Sequence, residues 1–233
     1  YVIMLHESLD EIIPKLSDVY TNISQGAEQD QYDILLIASS IPGEYFLPKK
    51  MMEFQQIYPK TEFRIEVENS RKALNTLIKE KTDIAAVGGF CSFEKDIFDI
   101  ATISKDVIVI FARKDHPIHQ DPDVRQNLYK YPWVFREEGS STRELFLNHI
   151  PSPEDINIAL EFQDNTAIIN AVQASDALSA LSFNLVSIYH GHNIQPVKLP
   201  GMGSISRKLY LVKRKGFQLK TYEKAFWDYC THK

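Results

Sequence analysis

The sequence predicts an α/β protein built on a parallel sheet, and three observations carry that reading. From Asp33 onward, short apolar strands alternate with runs whose apolar residues recur at helical spacing, in a β-α-β-α-β series. Residues 34–38 and 107–112 are apolar without interruption, as in strands buried on both faces of a sheet. The turns that follow the strands hold Ser, Thr, Asn and Gly, the residue types that begin helices.

In chain order, residues 1–30 read as a separate element. Leu9, Ile12, Ile13, Leu16, Val19, Tyr20 and Ile23 recur at three- and four-residue steps and mark one apolar helix face. Pro14 predicts a kink within it, and Ser24-Gln25-Gly26 ends it. Such a face must be buried, either on its own domain or on a second copy of the chain. The strand at 34–38 runs into a turn at Ser39, Ser40, Pro42 and Gly43, then a helix with Leu47, Met51, Phe54 and Tyr58. Pro59 stops that helix. Phe63, Ile65 and Val67 alternate as a strand, and Asn69-Ser70 caps a helix carrying Ala73, Leu74, Leu77 and Ile78. A third strand at 83–87 closes on Gly88-Gly89, and two more are expected at 97–103 and 107–112. Arg113 to Pro117 and Asp121-Pro122 break the pattern. A second αβ series then begins with a strand at 133–135 and a helix after Gly139. It continues with a strand at 158–162, a helix at 166–174 and a strand at 178–183. A strand at 206–213 and a helix with Leu219, Tyr222, Phe226 and Cys230 complete the series.

With 233 residues, 44% hydrophobic and 24% charged, the composition is that of a globular domain with a sizeable core. No apolar run approaches the ~20 residues that span a bilayer, so no membrane partner is expected. The N-terminus has neither the basic start nor the small-residue cleavage site of a signal peptide, although a mature secreted chain would have lost one. Residues 1–30 carry six carboxylates against Lys15 alone, so the net charge of −5 resides there and the rest balances. Without a basic stripe, the 233-residue chain is not expected to grip nucleic acid by itself. Cys91 and Cys230 have no metal-binding spacing and read as reduced thiols, a long-range disulfide being the alternative.

The stretch from Arg136 to Glu144 is the most informative. Its Gly139-Ser140-Ser141-Thr142 turn opens a helix, offering hydroxyls and backbone N–H groups at the positive end of a helix dipole. That suits an anion; the plain alternative is a helix cap with an acidic partner. Ser39-Ser40, Asn69-Ser70 and Asp164-Asn165-Thr166 are turns of the same kind. Ligands of parallel αβ sheets sit beyond the carboxyl ends of strands, where these turns lie. Together they point to one cleft for a small anionic molecule. Catalysis finds less support. His190-Gly191-His192 has metal-ligand spacing or is a surface turn, and no Cys or carboxylate cluster joins it. His116 and His119 read as loop residues. Ser39, Ser140 and Ser141 lack a nucleophile elbow, and Cys91 is a conceivable nucleophile or a packed small hydrophobe. Gly88-Gly89 lacks the Lys and Ser/Thr of a phosphate loop. No catalytic residue, cofactor or metal is expected.

At these residues the chain resembles the effector-binding region of LysR-type transcriptional regulators. Residues 1–5 look like the last strand of that family's winged helix-turn-helix domain, and the acidic helix after them like its linker helix. Residues 37–48 are similar to the family's first strand and turn, including its Leu-Pro, and Phe54 to Tyr58-Pro59 to its "F…YP" helix ending. Leu77 to Ala85 matches "L…G-x-x-D-hydrophobic-small", with Lys81 in place of the glycine. Arg136 to Glu144 resembles "REEGSGTRE", with Ser141 in place of the second glycine.

The resemblance implies a type 2 periplasmic-binding-protein fold, two αβ lobes joined by two crossover segments. Lobe I would take 33–112 plus 196–233, and lobe II 113–195, after a wing strand and linker helix in 1–30. The effector would lie between the lobes on Ser39, Ser40, Ser70, Ser140, Ser141, Thr142 and Thr166. Arg143 would supply countercharge or face outward in a salt bridge. The resemblance further implies a cytoplasmic homodimer or homotetramer that meets DNA only through an N-terminal winged helix-turn-helix domain absent from this chain. Effector binding would favour one angle between the lobes and so reposition those domains. Two rivals share the scaffold. One is a transporter's solute-binding protein. The other is an enzyme such as a dehydratase of aromatic amino-acid synthesis, for which Glu44, Glu137 and Glu138 are the available acids or bases.

Overall fold

The computed structural model describes residues 32–91, 93–189, 193–200 and 204–231. The linker helix, the wing strand and the His190–His192 spacing lie outside the described residues. The first αβ series forms as the periodicity requires. Strand β1 (Tyr32–Ser39) pairs in parallel with β2 (Thr61–Glu68) and β3 (Ile84–Val87), setting Leu36 beside Ile65 and Ile84. Ile34, Leu36 and Ala38 face one side with Phe54 of α1 (Leu47–Ile57) and Phe226 of α7 (Thr221–Thr231). Ile37 faces the other, with Leu74 and Leu77 of α2 (Ser70–Ile78). Two apolar layers explain why β1 carries no polar alternation. Phe54 is fully buried with its ring against Tyr58, Phe63, Phe226 and Tyr229.

One expectation changes at the next element. Residues 97–103 and 107–112 are not two strands but parts of one 16-residue strand, β4 (Phe98–Arg113). The polar stretch between them is absorbed as a register shift between Thr102 and Ser104, since no Gly, Pro or Asn is there to turn the chain. This strand passes from one half of the molecule into the other. It pairs along residues 98–108 with β9 (Ile205–Arg214), then with β7 (Ser179–Ser182) and β8 (Ile194–Pro196), all antiparallel. The seven-stranded sheet is therefore mixed, in the order β2-β1-β3-β9-β4-β7 with β8 also on β4.

The second αβ series packs on that extension. A short α3 (Val124–Asn127) precedes β5 (Trp133–Arg136), which pairs in parallel with β6 (Ile158–Phe162) and touches Leu178 through one parallel bridge. Trp133 and Phe135 stack toward Phe146 of α4 (Ser141–Leu147), while Val134 packs with Ile168, Ile169 and Val172 of α5 (Asn165–Gln173). The strand expected over 178–183 stops at Ser182, and Phe183 begins α6 (Phe183–Ile188). Among the described residues, no helix is long and apolar enough to cross a membrane.

Candidate functional site

Six of the seven residues singled out from the sequence meet in one place. Ser39 ends β1 and Ser40 follows it, Ser70 begins α2, and Ser140, Ser141 and Thr142 open α4. All six are buried, and together they line a polar cavity of about 10 Å³, the space of one water molecule. Thr166 is not among them. It is exposed on the first turn of α5, while the preceding Asn165 is buried and faces the cleft. Successive helical residues are rotated by about 100°, so a one-residue step leaves the inward face.

The cavity's charge comes from Arg136 and Arg207, neither of them among the seven. The buried Arg136 guanidinium donates from Nη1 to Ser40 Oγ at 2.7 Å and to Asn165 Oδ1 at 3.0 Å. Its Nε and Nη2 grip Glu137 at 2.9 and 3.2 Å. Arg207 on β9 donates from Nη1 to Thr142 Oγ1 at 2.9 Å and reaches Ser141 Oγ at 3.4 Å. Its Nε donates to Asp106 Oδ2 at 2.8 Å, and Nη2 sits 2.7 Å from the same oxygen as an ionic contact outside hydrogen-bond geometry. Each guanidinium thus spends its outer nitrogens on a carboxylate and aims Nη1 at the cavity hydroxyls. The enclosed space is rich in donors, which suits an anion. A signal for Arg207 lay in the sequence. Ile205, Arg207, Leu209 and Leu211 share the buried face of β9 at a spacing of two, so an inward arginine breaks an apolar row.

The cleft is shut by bonds between the two αβ units. Ser70 Oγ donates to Ser141 Oγ at 3.1 Å, Arg71 N–H to Gly139 O at 3.1 Å, and Asn69 Nδ2 to Glu138 O at 3.3 Å. Gly139 has φ +85°, and a Cβ there would lie 2.9 Å from Arg71 Cβ, so the turn and the close approach both need glycine. The plain cap reading of Ser140 does not apply: its side chain makes no cap bond, and Glu144 pairs with Arg71 at 3.0 Å instead. Two of the other turns do carry ordinary caps: Asn69 Oδ1 accepts from Lys72 N and Asp164 Oδ1 from Ala167 N. Arg143 lies away from the cavity, bonded to Glu161 and to Arg136 O.

Beside the cavity, sharing Ser40, Asn69 and Arg136, is a chamber of about 280 Å³ lined by Glu44, Glu137 and Asp164. Burial holds the Glu44 carboxyl above its ordinary value, opposed by the Asn165 hydrogen bond and the Arg136 charge. Among the described residues no His, Cys and carboxylate cluster could hold a metal ion. His116 is a structural residue: Nδ1 accepts from Ile118 N at 3.0 Å, Nε2 meets Asp176 O at 3.2 Å, and burial lowers its pKa.

Cys91 and Cys230 are free and buried, and burial pushes both thiols from about 9 up to about 12. A packed thiol, not a nucleophile, is the result. Unfolded thiols ionise above pH 9 while native ones keep their protons, so this part of the stability is intact below pH 9 and is lost as pH rises toward 12. Urea unfolding at about pH 8 and about pH 10 should show a loss that shrinks in Cys91→Ala plus Cys230→Ala; an equal loss in both proteins would contradict the assignment.

The comparisons with known proteins agree with this geometry. The family model described as the LysR substrate binding domain matches residues 27–233. An HTH-type transcriptional regulator of Methanocaldococcus jannaschii is 26% identical over 235 residues, covering 98% of this chain and 78% of the relative. The HTH-type transcriptional regulator YeiE of Escherichia coli is 28% identical over 213 residues, covering 89% of this chain and 71% of the relative. Among solved structures, the CcmR regulatory domain of Synechocystis PCC6803 in complex with 2-PG superposes with a TM-score of 0.76 at 25% identity, covering 86% of this chain and 96% of that domain. Two αβ units joined through β4 and β9 are the type 2 periplasmic-binding-protein arrangement that the sequence resemblance implies.

Proposed function

The chain belongs to the LysR-type transcriptional regulators as an effector-sensing domain, and from that premise we propose that the serine- and arginine-lined cavity is its effector site. The observation that carries this reading is the convergence of two guanidinium Nη1 groups and of hydroxyls from both αβ units on one enclosed space. The effector is a small anion, held by Ser39, Ser40 and Ser70 from lobe I and by Ser140, Ser141 and Thr142 from lobe II, with Asn165 in the place first given to Thr166. Lobe I is taken as 33–112 with 196–233, and lobe II as 113–195. An anion would displace the hydroxyl–guanidinium bonds and draw both lobes onto itself, entering through the 280 Å³ chamber. Its differential affinity for open and closed lobes would set the hinge angle. Regulators of this family are not enzymes, and the cavity has a sensing role with no catalytic residue. In the full-length protein, a cytoplasmic homodimer or homotetramer would pass the hinge angle to DNA through N-terminal winged helix-turn-helix domains.

A thermal-shift screen with sulfate, phosphate, simple carboxylates and 2-PG, the molecule held by the CcmR domain, identifies the anion, since binding stabilises by mass action. Calorimetry with Ser40→Ala plus Thr142→Ala then tests the site. Losing two hydrogen bonds of about 0.5–1 kcal/mol each weakens binding about tenfold. Unchanged affinity would remove the anion from this cavity.

A further inference from the structure

Behind the effector cavity, on the side of β3, α4 and the crossover strands, lies a second and much larger cleft of about 690 Å³. Arg207 lines both spaces, and its guanidinium with Ser141 forms the wall between them. The cleft therefore has its own interior. Its floor is apolar: Phe90 and Tyr210 lie with ring centroids 5.2 Å apart, and Leu145 of α4 joins them beside Gly89. Its rim is basic. Lys95, Lys105 and Lys208 are exposed around it, and among the described residues none of the three has an ion-pair partner. Lys95 Nζ stands 5.3 Å from the Phe90 ring centroid. Among the described residues the only carboxylate on the lining is Asp106, and it is occupied by Arg207, Ser182 and Asn184.

An apolar floor under an uncompensated positive rim defines its ligand by charge and shape. We propose that this cleft is a second small-molecule site, separate from the effector cavity, for an amphipathic carboxylate: an aromatic or aliphatic body on Phe90, Tyr210 and Leu145, with the carboxylate held by Lys105 and Lys208. The volume lies in the range of about 300–1,000 Å³ typical of small-molecule sites. The two lysines sit on β4 and β9 next to the cross-strand partners Asp106 and Arg207, so the carboxylate end rests on the crossover strands themselves. Desolvating the ring gives affinity, and the lysines give sign selectivity.

Benzoate is the test probe, titrated calorimetrically into the whole chain. Saturable binding is expected, weakened about tenfold or more in Lys105→Glu plus Lys208→Glu and about tenfold for the neutral isostere benzamide. Leu145→Trp, which fills the floor without touching charge, should also weaken benzoate. Ser40→Ala plus Thr142→Ala should leave benzoate binding intact, which separates this site from the effector cavity. The proposal is overturned by an absence of saturable binding, by equal affinity in the charge-reversed variant, or by loss of benzoate in Ser40→Ala plus Thr142→Ala. All variants are compared at matched thermal midpoints, and the exposed positions of both lysines make misfolding an observable departure in that control.

Discussion

Asp106→Ala destabilises the chain by about 3–5 kcal/mol, the expected cost of stranding a buried charge. Asp106 and Arg207 face each other as a direct cross-strand pair on β4 and β9, with side chains 0% and 3% exposed. The carboxylate accepts from Arg207 Nε at 2.8 Å, Ser182 Oγ at 2.7 Å and Asn184 Nδ2 at 3.2 Å. Removing it leaves a guanidinium enclosed with only neutral hydroxyls and orphans two donors. The network ties the crossover strands to β7, to α6 and, through Thr142 Oγ1, to the start of α4. Urea unfolding monitored by circular dichroism gives the number. The companion variant Asp106→Leu plus Arg207→Met removes both charges and should lose much less than Asp106→Ala, because no charge is left buried without a partner. A loss below about 1 kcal/mol for Asp106→Ala would mean that water already reaches the pair.

What the sequence revealed and what it hid follow from the same physics. β1 and β3 were readable because burial on both faces demands unbroken apolar runs, β2 because Phe63, Ile65 and Val67 alternate on an edge strand, and the helices between them because their stripes repeat at helical spacing. The continuity of β4 was hidden because Ser104 and Lys105 look like a loop, yet a bulge needs no turn residue. Mixed pairing was hidden for a different reason: direction is set by long-range partners, and β9 reaches β3 and β4 across about a hundred residues of chain. The hydroxyl half of the site was legible because helix-start residues have a compositional signature. Its charged half was legible only in fragments: Arg207 interrupts the apolar row of β9 and Arg136 opens the Gly-Ser-Ser-Thr stretch, but the two are remote in sequence and become neighbours only when both αβ units close. Thr166 shows the finest limit. The turn was identified, but Asp164 is the cap and Asn165 is the first helical residue, so the inward position falls one residue earlier. In α2 the arrangement is the same, with Asn69 as cap and Ser70 facing in.

Gly89→Ala should open the cleft without damaging either lobe, and Ser141→Gly should close it again. Gly89 follows β3 at a φ outside the left-handed region, so its backbone accepts alanine. The new methyl would stand 2.8 Å from Ser141 Cβ, inside van der Waals contact, and Ser141 belongs to α4 of the other αβ unit. Relief is available by separating the two units, which moves α4 as a body. An overpacked contact of this kind costs about 2–3 kcal/mol, or roughly 30- to 160-fold in the closed population. Closure has a ligand-independent reporter in the Arg71 amide, which donates across the cleft to Gly139 O at 3.1 Å. Hydrogen exchange at Arg71 should accelerate by that factor in Gly89→Ala, while amides inside β1 and β5 keep their protection. Ser141→Gly alone removes the 3.1 Å bond with Ser70 and has a smaller effect, near 1 kcal/mol (~5-fold). Combined with Gly89→Ala it should return Arg71 to the protection of Ser141→Gly alone, because the colliding atom is gone. Unchanged exchange in Gly89→Ala, or additive losses in the double variant, would show that the contact between Gly89 and Ser141 does not limit closure.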